Sequence, residues 1–401
     1  MNGCAKTKGI HMKALRFTLC AAVASCAMAA GAAYADPLGM PAMGPTLSAN
    51  ATPTKFDAGP LGKIYVTGAV SGLVNVQSNA IAPPDHDAFG DLSNAQVFIQ
   101  KTDGVVQFYL QAGAYSEDVL SVPYAHVTDT RSFANETFGY LPQAFVKIVP
   151  NAEWSIQAGK LPTLIGAEYG FSFENINVNR GLLWNQEPLV SRGVQVNYAK
   201  GPVSISVSLN DGYYSDVYNW VSGLASYTVS PKDTLAIAAG TNLGTTTSRG
   251  NFATPTAQNN STIINLFWTH TEGKWVFNPY FQYDYVGTNA KLSIAKSTAT
   301  WSGALLVKYT LTPEWSLGFR GEYIKQTGTA GDGSPFLLYG PGSDAWSLTL
   351  TPTYQKGIFF ARTDLSYTKA SSAVANAAFL FGPAGAAKDQ FRATGEAGVL
   401  F

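Results

Sequence analysis

Apolar and polar residues alternate along most of the chain, which is the pattern of a β-strand with two unlike faces. Val203, Ile205 and Val207, for example, alternate with serines. The period of two recurs to the end of the chain and predicts about sixteen strands. The predicted strands are 63–77, 92–102, 104–115, 140–150, 153–160, 191–200, 202–211, 218–230, 233–242, 261–272, 274–287, 299–311, 314–326, 344–355, 357–370 and 388–401.

Short and long connections alternate between these strands. Tight turns such as Thr102-Asp103-Gly104 and Lys200-Gly201-Pro202 are followed by longer polar or Gly-rich links, of which 212–217 alone is short. A soluble β-sandwich, the alternative, has no reason to keep its long loops at one end. The alternation of short and long connections therefore predicts an all-β, antiparallel, up-and-down transmembrane barrel with short periplasmic turns and long extracellular loops.

Aromatic and charged residues fall on opposite faces of the predicted strands. An Arg in the middle of the lipid-facing surface would cost about 2–4 kcal/mol, so we expect the charged face to line a wet lumen. Aromatics at strand ends predict interfacial girdles. The aromatics are Trp154, Trp275, Trp301, Trp315, Trp346, Tyr198, Tyr309 and Tyr354. The charged residues are Arg320, Arg362, Arg392, Asp284, Asp364, Glu322 and Glu396.

The N-terminus predicts export. Lys13 and Arg16 precede an apolar run from Phe17 to Ala30, and Ala33-Tyr34-Ala35 matches a signal-peptide cleavage site. A lipoprotein signal ending at Cys26 is the alternative. We therefore divide the chain into a signal peptide (1–35), a flexible Pro- and Gly-rich leader (36–62) that stays in the periplasm or folds into the lumen, and an outer-membrane barrel (63–401). Cys4, Cys20 and Cys26 all lie before residue 36, so the mature chain carries no disulfide.

The last predicted strand ends on Phe401, with small or apolar residues on one face and charged residues on the other. We expect this strand to pair with the first one, since an open edge in lipid would leave backbone groups without partners. A strand-like end on Phe resembles the assembly signal that the outer-membrane insertion machinery reads. An ordinary surface strand is the alternative.

One stretch, 159–215, differs from the repetitive strands. Gly159-Lys160 is followed by Gly166, Glu168, Asn175, Asn177, Arg180, Pro188, Gly193 and Asn210-Asp211-Gly212-Tyr213. This succession resembles the OmpL-like family of β-barrel porins from Gram-negative outer membranes. The resemblance implies an even-stranded barrel that serves as a general or weakly selective pore, without a cofactor.

We accordingly predict an outer-membrane porin for passive diffusion of small hydrophilic solutes. A barrel of about sixteen strands is wide enough for an aqueous channel. A barrel enzyme acting on lipid or peptide, and a plugged structural or adhesive barrel, are the alternatives. The expected partners are outer-membrane lipid, small solutes or ions, the insertion machinery and a second copy of the chain. No basic stretch suggests nucleic acid, and no catalytic or metal-binding pattern stands out.

The link 161–190 is too apolar for a loop in water, because it carries Leu164, Ile165, Phe171, Phe173, Leu182, Leu183 and Trp184. We expect it to fold inward and narrow the lumen; packing above the barrel or against a neighbouring subunit is the alternative. Its acids would then face wall arginines, Arg180 would pair with one acid, and the opposed charges would set ion preference. The predicted pore-lining residues are Glu168, Glu174, Arg180, Glu187, Arg192, Arg320, Arg362 and Arg392.

Overall fold

The computed structural model describes residues 46–50, 52–81, 85–127, 133–247, 255–372 and 380–401. The predicted signal peptide and residues 36–45 of the predicted leader lie outside these ranges. Within them, no helix is long and apolar enough to cross a membrane.

The described residues form seventeen strands and one short α-helix, α1 (Phe133–Glu136). Single 3-10 turns occupy Gly59–Leu61, Ser172–Glu174, Leu183–Gln186, Gln258–Asn260 and Ala290–Leu292. The strands are β1 (Thr54–Asp57), β2 (Lys63–Gln77), β3 (Ala88–Lys101), β4 (Val106–Tyr115), β5 (Gln143–Ile148), β6 (Trp154–Pro162), β7 (Val190–Lys200), β8 (Val203–Asn210), β9 (Trp220–Ser230), β10 (Asp233–Asn242), β11 (Ser261–Glu272), β12 (Trp275–Val286), β13 (Thr298–Thr310), β14 (Trp315–Gln326), β15 (Asp344–Lys356), β16 (Phe359–Ser372) and β17 (Asp389–Leu400).

Strands β2 to β17 form a closed antiparallel barrel of sixteen strands. Each strand pairs with its successor in sequence, and β17 pairs with β2. This confirms the predicted up-and-down barrel and its strand number. All sixteen predicted strands are present, and the limits of β2, β10 and β11 are those predicted.

Alternation of exposure along each strand explains why these segments form a barrel wall. In β8, Val207 and Leu209 are exposed on the outer surface, while Ser206 and Ser208 are buried inside. Apolar residues outside and polar residues inside match lipid on one side and a polar interior on the other.

The two ends of the barrel differ in their connections. We call the end with the tight turns, such as 201–202 and 231–232, the turn side, and the opposite end the loop side. The longest described or partly described links, 116–142 and 163–189, both belong to the loop side. Short and long links alternate as predicted.

Aromatic side chains form two belts on the outer surface. Cross-strand pairs Trp154–Tyr198, Trp275–Tyr309 and Trp315–Tyr354 lie on the turn side, with ring centroids 4.3–5.0 Å apart. Tyr283–Trp301 and Trp346–Tyr367 lie on the loop side. Along a strand the belts are about eight residues apart, or roughly 20 Å at a tilt near 40°, which suits the apolar band of an outer membrane.

The seam between β17 and β2 is completed by β1 and Phe401. Beyond the end of β17, Phe401 and Gly68 exchange two backbone hydrogen bonds of 2.8 and 3.0 Å. Below them, β1 pairs with the first residues of β2, on the edge that β17 leaves open. The prediction of a flexible leader without strands was wrong for residues 54–57, which carry no apolar alternation and form a strand because the edge of β2 needs a partner.

Candidate functional site

The connection between β6 and β7, residues 163–189, lies inside the barrel, and we call it the inner segment. Its apolar side chains are buried: Leu164, Ile165, Phe171, Leu182 and Leu183 are each at most 2% exposed. None of its residues is fully exposed. The segment therefore fills much of the lumen instead of resting on top of the barrel.

One part of the wall holds the inner segment through apolar contacts. Inward residues of β9 to β14 form a single cluster with the segment's leucines and isoleucines. The inward contributors include Trp220, Leu224, Ala238, Ile263, Phe267, Tyr280, Leu306 and Ile324. A hydrogen bond adds to these apolar contacts: the Gln282 side chain donates to the Leu183 carbonyl oxygen at 3.1 Å. Burial of these apolar surfaces stabilises the folded-in position.

The adjoining part of the wall, β14 to β17, holds the inner segment through charges. The Arg320 guanidinium lies 2.5 Å from Glu168 and 3.2 Å from Glu322, and also donates to the Asn179 carbonyl oxygen at 2.6 Å. Arg320 is fully buried. A buried cation shared by two carboxylates is strongly held, because loss of one partner leaves an uncompensated charge.

Glu322 binds the backbone of the inner segment directly. Its carboxylate accepts hydrogen bonds from the backbone N–H groups of Leu182 and Leu183, at 3.0 and 3.3 Å, and from the Ser347 hydroxyl. Gly181 makes this approach possible, since a Cβ there would lie 2.1 Å from the Glu322 carboxylate oxygen. A glycine is required at position 181 because the Glu322 side chain of the wall comes so close to it.

Two further ion pairs continue the charged wall. Arg362 pairs with Glu396 at 2.7 Å, and Glu396 accepts a hydrogen bond of 2.7 Å from Ser172 of the inner segment. Arg392 pairs at 2.7 Å with Asp118, which belongs to the link between β4 and β5. The wall charges thus fasten two loop-side links inside the barrel.

The structure brings only part of the predicted pore set together as expected. Glu168 meets Arg320, whereas Glu187 forms no ion pair with an arginine of the described ranges: its carboxylate accepts a hydrogen bond from Tyr280 at 3.2 Å. Arg180 donates to the Val178 carbonyl oxygen and makes no ion pair with the described residues. The expected pairing of Glu187 with an arginine and of Arg180 with an acid was therefore wrong. Glu174 is half-buried and joins no ion pair within the described ranges.

Arg192 does not face the lumen. It shares the outward parity of Val194 and Val196, and lies at the loop-side rim. There it pairs with Asp211 at 2.7 Å and with Asp216 at 2.5 Å. Its predicted position opposite the inner acids was wrong, because acids in the next loop-side link lie closer. Whether the remaining residues line a conducting path stays a prediction.

Residues 46–50 approach the inner segment from the turn side. The Thr46 hydroxyl donates to the Ile176 carbonyl oxygen at 3.2 Å. The Gln355 side chain accepts a hydrogen bond from the Ser48 backbone N–H at 2.6 Å and donates to the Ser48 carbonyl oxygen at 2.7 Å. Leu47 is buried among aromatic residues. Part of the predicted leader thus lies in the lumen and covers the tip of the inner segment.

Buried carboxyl groups accompany the inner segment. Burial raises the pKa of Glu117, in the link before β5, to about 8. Burial likewise raises the pKa of Glu187 well above its usual range. The cause is the same for both groups, since an ionised carboxylate is costly in a dry interior. Sequence reasoning missed Glu117, Asp118 and Gln355, which no local pattern distinguishes from solvated loop or wall residues.

No group of three or more His, Cys, Asp or Glu side chains in the described ranges is arranged to hold a metal ion. The polar network joins wall to segment, and the described contacts show no nucleophile activated by a base. The arrangement can restrict passage through the barrel and discriminate by size and charge.

Comparison with known proteins identifies relatives of this fold. A family model described as "Putative beta-barrel porin-2, OmpL-like" matches residues 63–401. No curated protein matches the chain. An anion-selective porin from Comamonas acidovorans is similar in structure, with a TM-score of 0.55, 12% identity, and coverage of 84% of this chain and 99% of that one.

Two further solved structures share the architecture. The outer membrane channel DcaP of Acinetobacter baumannii has a TM-score of 0.55 at 10% identity, covering 84% of this chain and 97% of that chain. OmpT, an outer membrane protein of Vibrio cholerae, has a TM-score of 0.54 at 11% identity, covering 86% and 98%. At this identity the three structures share the fold alone.

Proposed function

Because the chain belongs to the beta-barrel porin-2, OmpL-like family, we propose that it is an outer-membrane channel through which small hydrophilic solutes diffuse passively. One observation carries this proposal. The inner segment lies inside a closed barrel of sixteen strands and is fastened there by wall charges. A segment in this position narrows a lumen that would otherwise be wide. We propose that it sets which solutes pass.

The proposed setting is the outer membrane of a Gram-negative bacterium. The two aromatic belts and the exposed apolar band between them support a lipid environment. Phe401, paired with Gly68 at the seam, is proposed as part of the signal for the insertion machinery. A homo-oligomer is proposed as well, since Vibrio cholerae OmpT has a trimer form. The family supports a channel in preference to an enzyme, so purified protein should hydrolyse neither lipid nor peptide.

A plugged structural barrel is the second candidate, and the burial of the interior favours it. Six of the eight predicted pore residues are buried, namely Glu168, Arg180, Glu187, Arg320, Arg362 and Arg392. A lumen packed in this way passes solutes only beside the inner segment or after its displacement. The two candidates therefore differ in whether the intact protein conducts.

Planar-bilayer recording of two proteins separates them. The intact chain should give small, discrete current steps, and a variant with residues 167–185 replaced by a short Gly-Ser linker should give larger ones. Heat-modifiable migration serves as the control that both barrels are folded. Steps from the shortened variant alone would favour the plugged barrel. Steps from neither folded protein would refute a channel.

A further inference from the structure

The inner face of the barrel is divided into a charged and an uncharged part. Inward positions of β14, β16 and β17 carry Arg320, Glu322, Arg362, Asp364, Arg392 and Glu396. Inward positions of β6 to β11, six strands that the structure describes in full, carry no Asp, Glu, Lys or Arg. The inner segment covers the charged part and also the inward apolar residues of β9 to β11, so solutes in transit would meet β6 to β8.

Within the uncharged part, β6 to β8 present a continuous polar surface, which we call the amide-hydroxyl wall. Its inward residues are Ser155, Gln157, Gln195, Asn197, Ser204, Ser206, Ser208 and Asn210. They are linked to each other: Gln195 donates to Asn197 at 2.6 Å, and Asn197 donates to Ser155 at 3.2 Å. Amides and hydroxyls both donate and accept hydrogen bonds, so this wall can exchange partners with a solute that does the same.

Open space lies at the turn-side end of the amide-hydroxyl wall. A cavity of about 150 Å³ at the turn-side mouth is lined in part by Asn197, Ser204 and Ser206. Next along the same strands, a smaller space of about 10 Å³ is lined by Gln195, Ser208 and both ends of the inner segment. Leu164 and Pro188 of the inner segment line this smaller space, so the inner segment packs close to the wall there and the larger open space lies at the turn-side mouth.

Gln157 marks the wall as a binding surface. Its side chain is 1% exposed, yet neither the amide oxygen nor the amide nitrogen has a hydrogen-bond partner among the residues that the structure describes. A buried amide with no partner is costly, which indicates a role for water or a solute at that position. In register, Gln157 lies between Lys147 of β5 and Gln195 of β7.

Two charges border the mouth cavity without extending along the wall. Lys147 is half-buried on β5, and Glu153 in the turn before β6 pairs with Lys200 at 2.9 Å. Lys147 is in register with Gln157 at the edge of the wall. Beyond Gln157, a charged solute entering the narrow space would lose hydration and gain no opposite charge from the inward residues of β6 to β8. That loss is expensive for ions and small for a neutral molecule whose hydroxyls are re-paired.

We propose that the amide-hydroxyl wall is the solute-binding surface of this channel and that it takes neutral polyhydroxylated solutes, that is, sugars and polyols. The inference rests on the proposed channel function and gives it a substrate class. Gln157 supplies both a donor and an acceptor to the passing hydroxyls. The charged part of the inner face is already occupied by the inner segment, so it takes no part in binding the solute.

Uptake of three solutes of similar size into proteoliposomes tests the proposal: neutral glucose, anionic gluconate and cationic glucosamine. Glucose should enter several times faster than either ion. Gln157→Leu should lower glucose uptake about five-fold, the equivalent of about two lost hydrogen bonds of modest strength. Gln107→Leu is the matched control, since Gln107 is inward on β4, outside the wall, and bonds to the Gly104 carbonyl oxygen.

The outcomes separate this inference from the proposed function. If folded protein admits none of the three solutes, the channel itself is refuted. If gluconate or glucosamine enters as fast as glucose, or if Gln157→Leu behaves as the Gln107→Leu control does, the channel stands and the neutral-solute wall is refuted.

Discussion

Replacement of Arg320 by Met should release the inner segment from the charged wall. The guanidinium lies within 3.2 Å of two buried carboxylates, Glu168 and Glu322, and donates to the Asn179 carbonyl oxygen. Methionine fills a similar volume but leaves both carboxylates without a cation. Breaking a buried pair in this way costs about 3–5 kcal/mol. That is a shift of roughly a hundred- to a few-thousand-fold in the equilibrium between the folded-in and released segment.

Single-channel conductance and limited proteolysis should both report this shift. Arg320→Met should give larger current steps than the intact chain and faster cleavage within the inner segment. Arg320→Met combined with Glu168→Gln should recover part of the wild-type behaviour, because one of the two uncompensated charges is then gone. Lower pH should relieve the single variant, since protonation neutralises the stranded carboxylates. Wild-type conductance and cleavage in folded Arg320→Met would refute the anchoring role.

Three other perturbations address separate contacts. Gly181→Ala should loosen the inner segment and raise conductance, because its Cβ would lie 2.1 Å from a Glu322 oxygen; Gly303→Ala, whose Cβ has no neighbour nearer than 3.7 Å, should not. Deletion of Phe401 should lower the outer-membrane yield measured by fractionation, and a normal yield would count against its role in assembly. Burial raises the pKa of Glu117 to about 8, so its neutral form stabilises the folded state. That stabilisation is complete when the pH is below the usual pKa of Glu, and it is lost as the pH rises to about 8. Conductance should therefore increase from about pH 5 to about pH 8 and level off above that, and Glu117→Gln should flatten the response.

The wall of the barrel follows from the sequence because each strand carries its own signal. Alternation places Val207 outside and Ser206 inside whatever the neighbouring strands are. Long apolar loops carry a similar signal: Leu164 and Leu182 need burial, and the lumen supplies it. Strand β1 has no such pattern, since all four of its residues are exposed. The strand was missed because it forms only to pair with the part of the β2 edge that β17 leaves open, and the sequence of residues 54–57 does not reveal that edge.

Pairing inside the lumen is harder to predict than the wall. Glu168, Glu187 and Arg192 belong to the same region of sequence, yet only Glu168 meets an arginine of the charged wall. The choice depends on the depth at which each side chain lies and on competing partners such as Asp211 and Tyr280. Neither quantity is encoded in local periodicity. Ion pairs between distant strands are therefore known only once the register is known.

The arrangement at the seam has a consequence for the order of folding. Closure joins residues far apart in sequence: Arg392 donates to Gln77, which lies 315 positions earlier in the chain. Contacts of that separation form late, because chain entropy must first be overcome. Strand β1 pairs with β2 through a short local hairpin and so forms early. It would shield the turn-side end of that edge of β2 from pairing with other chains, both before and after β17 closes the rest of the edge.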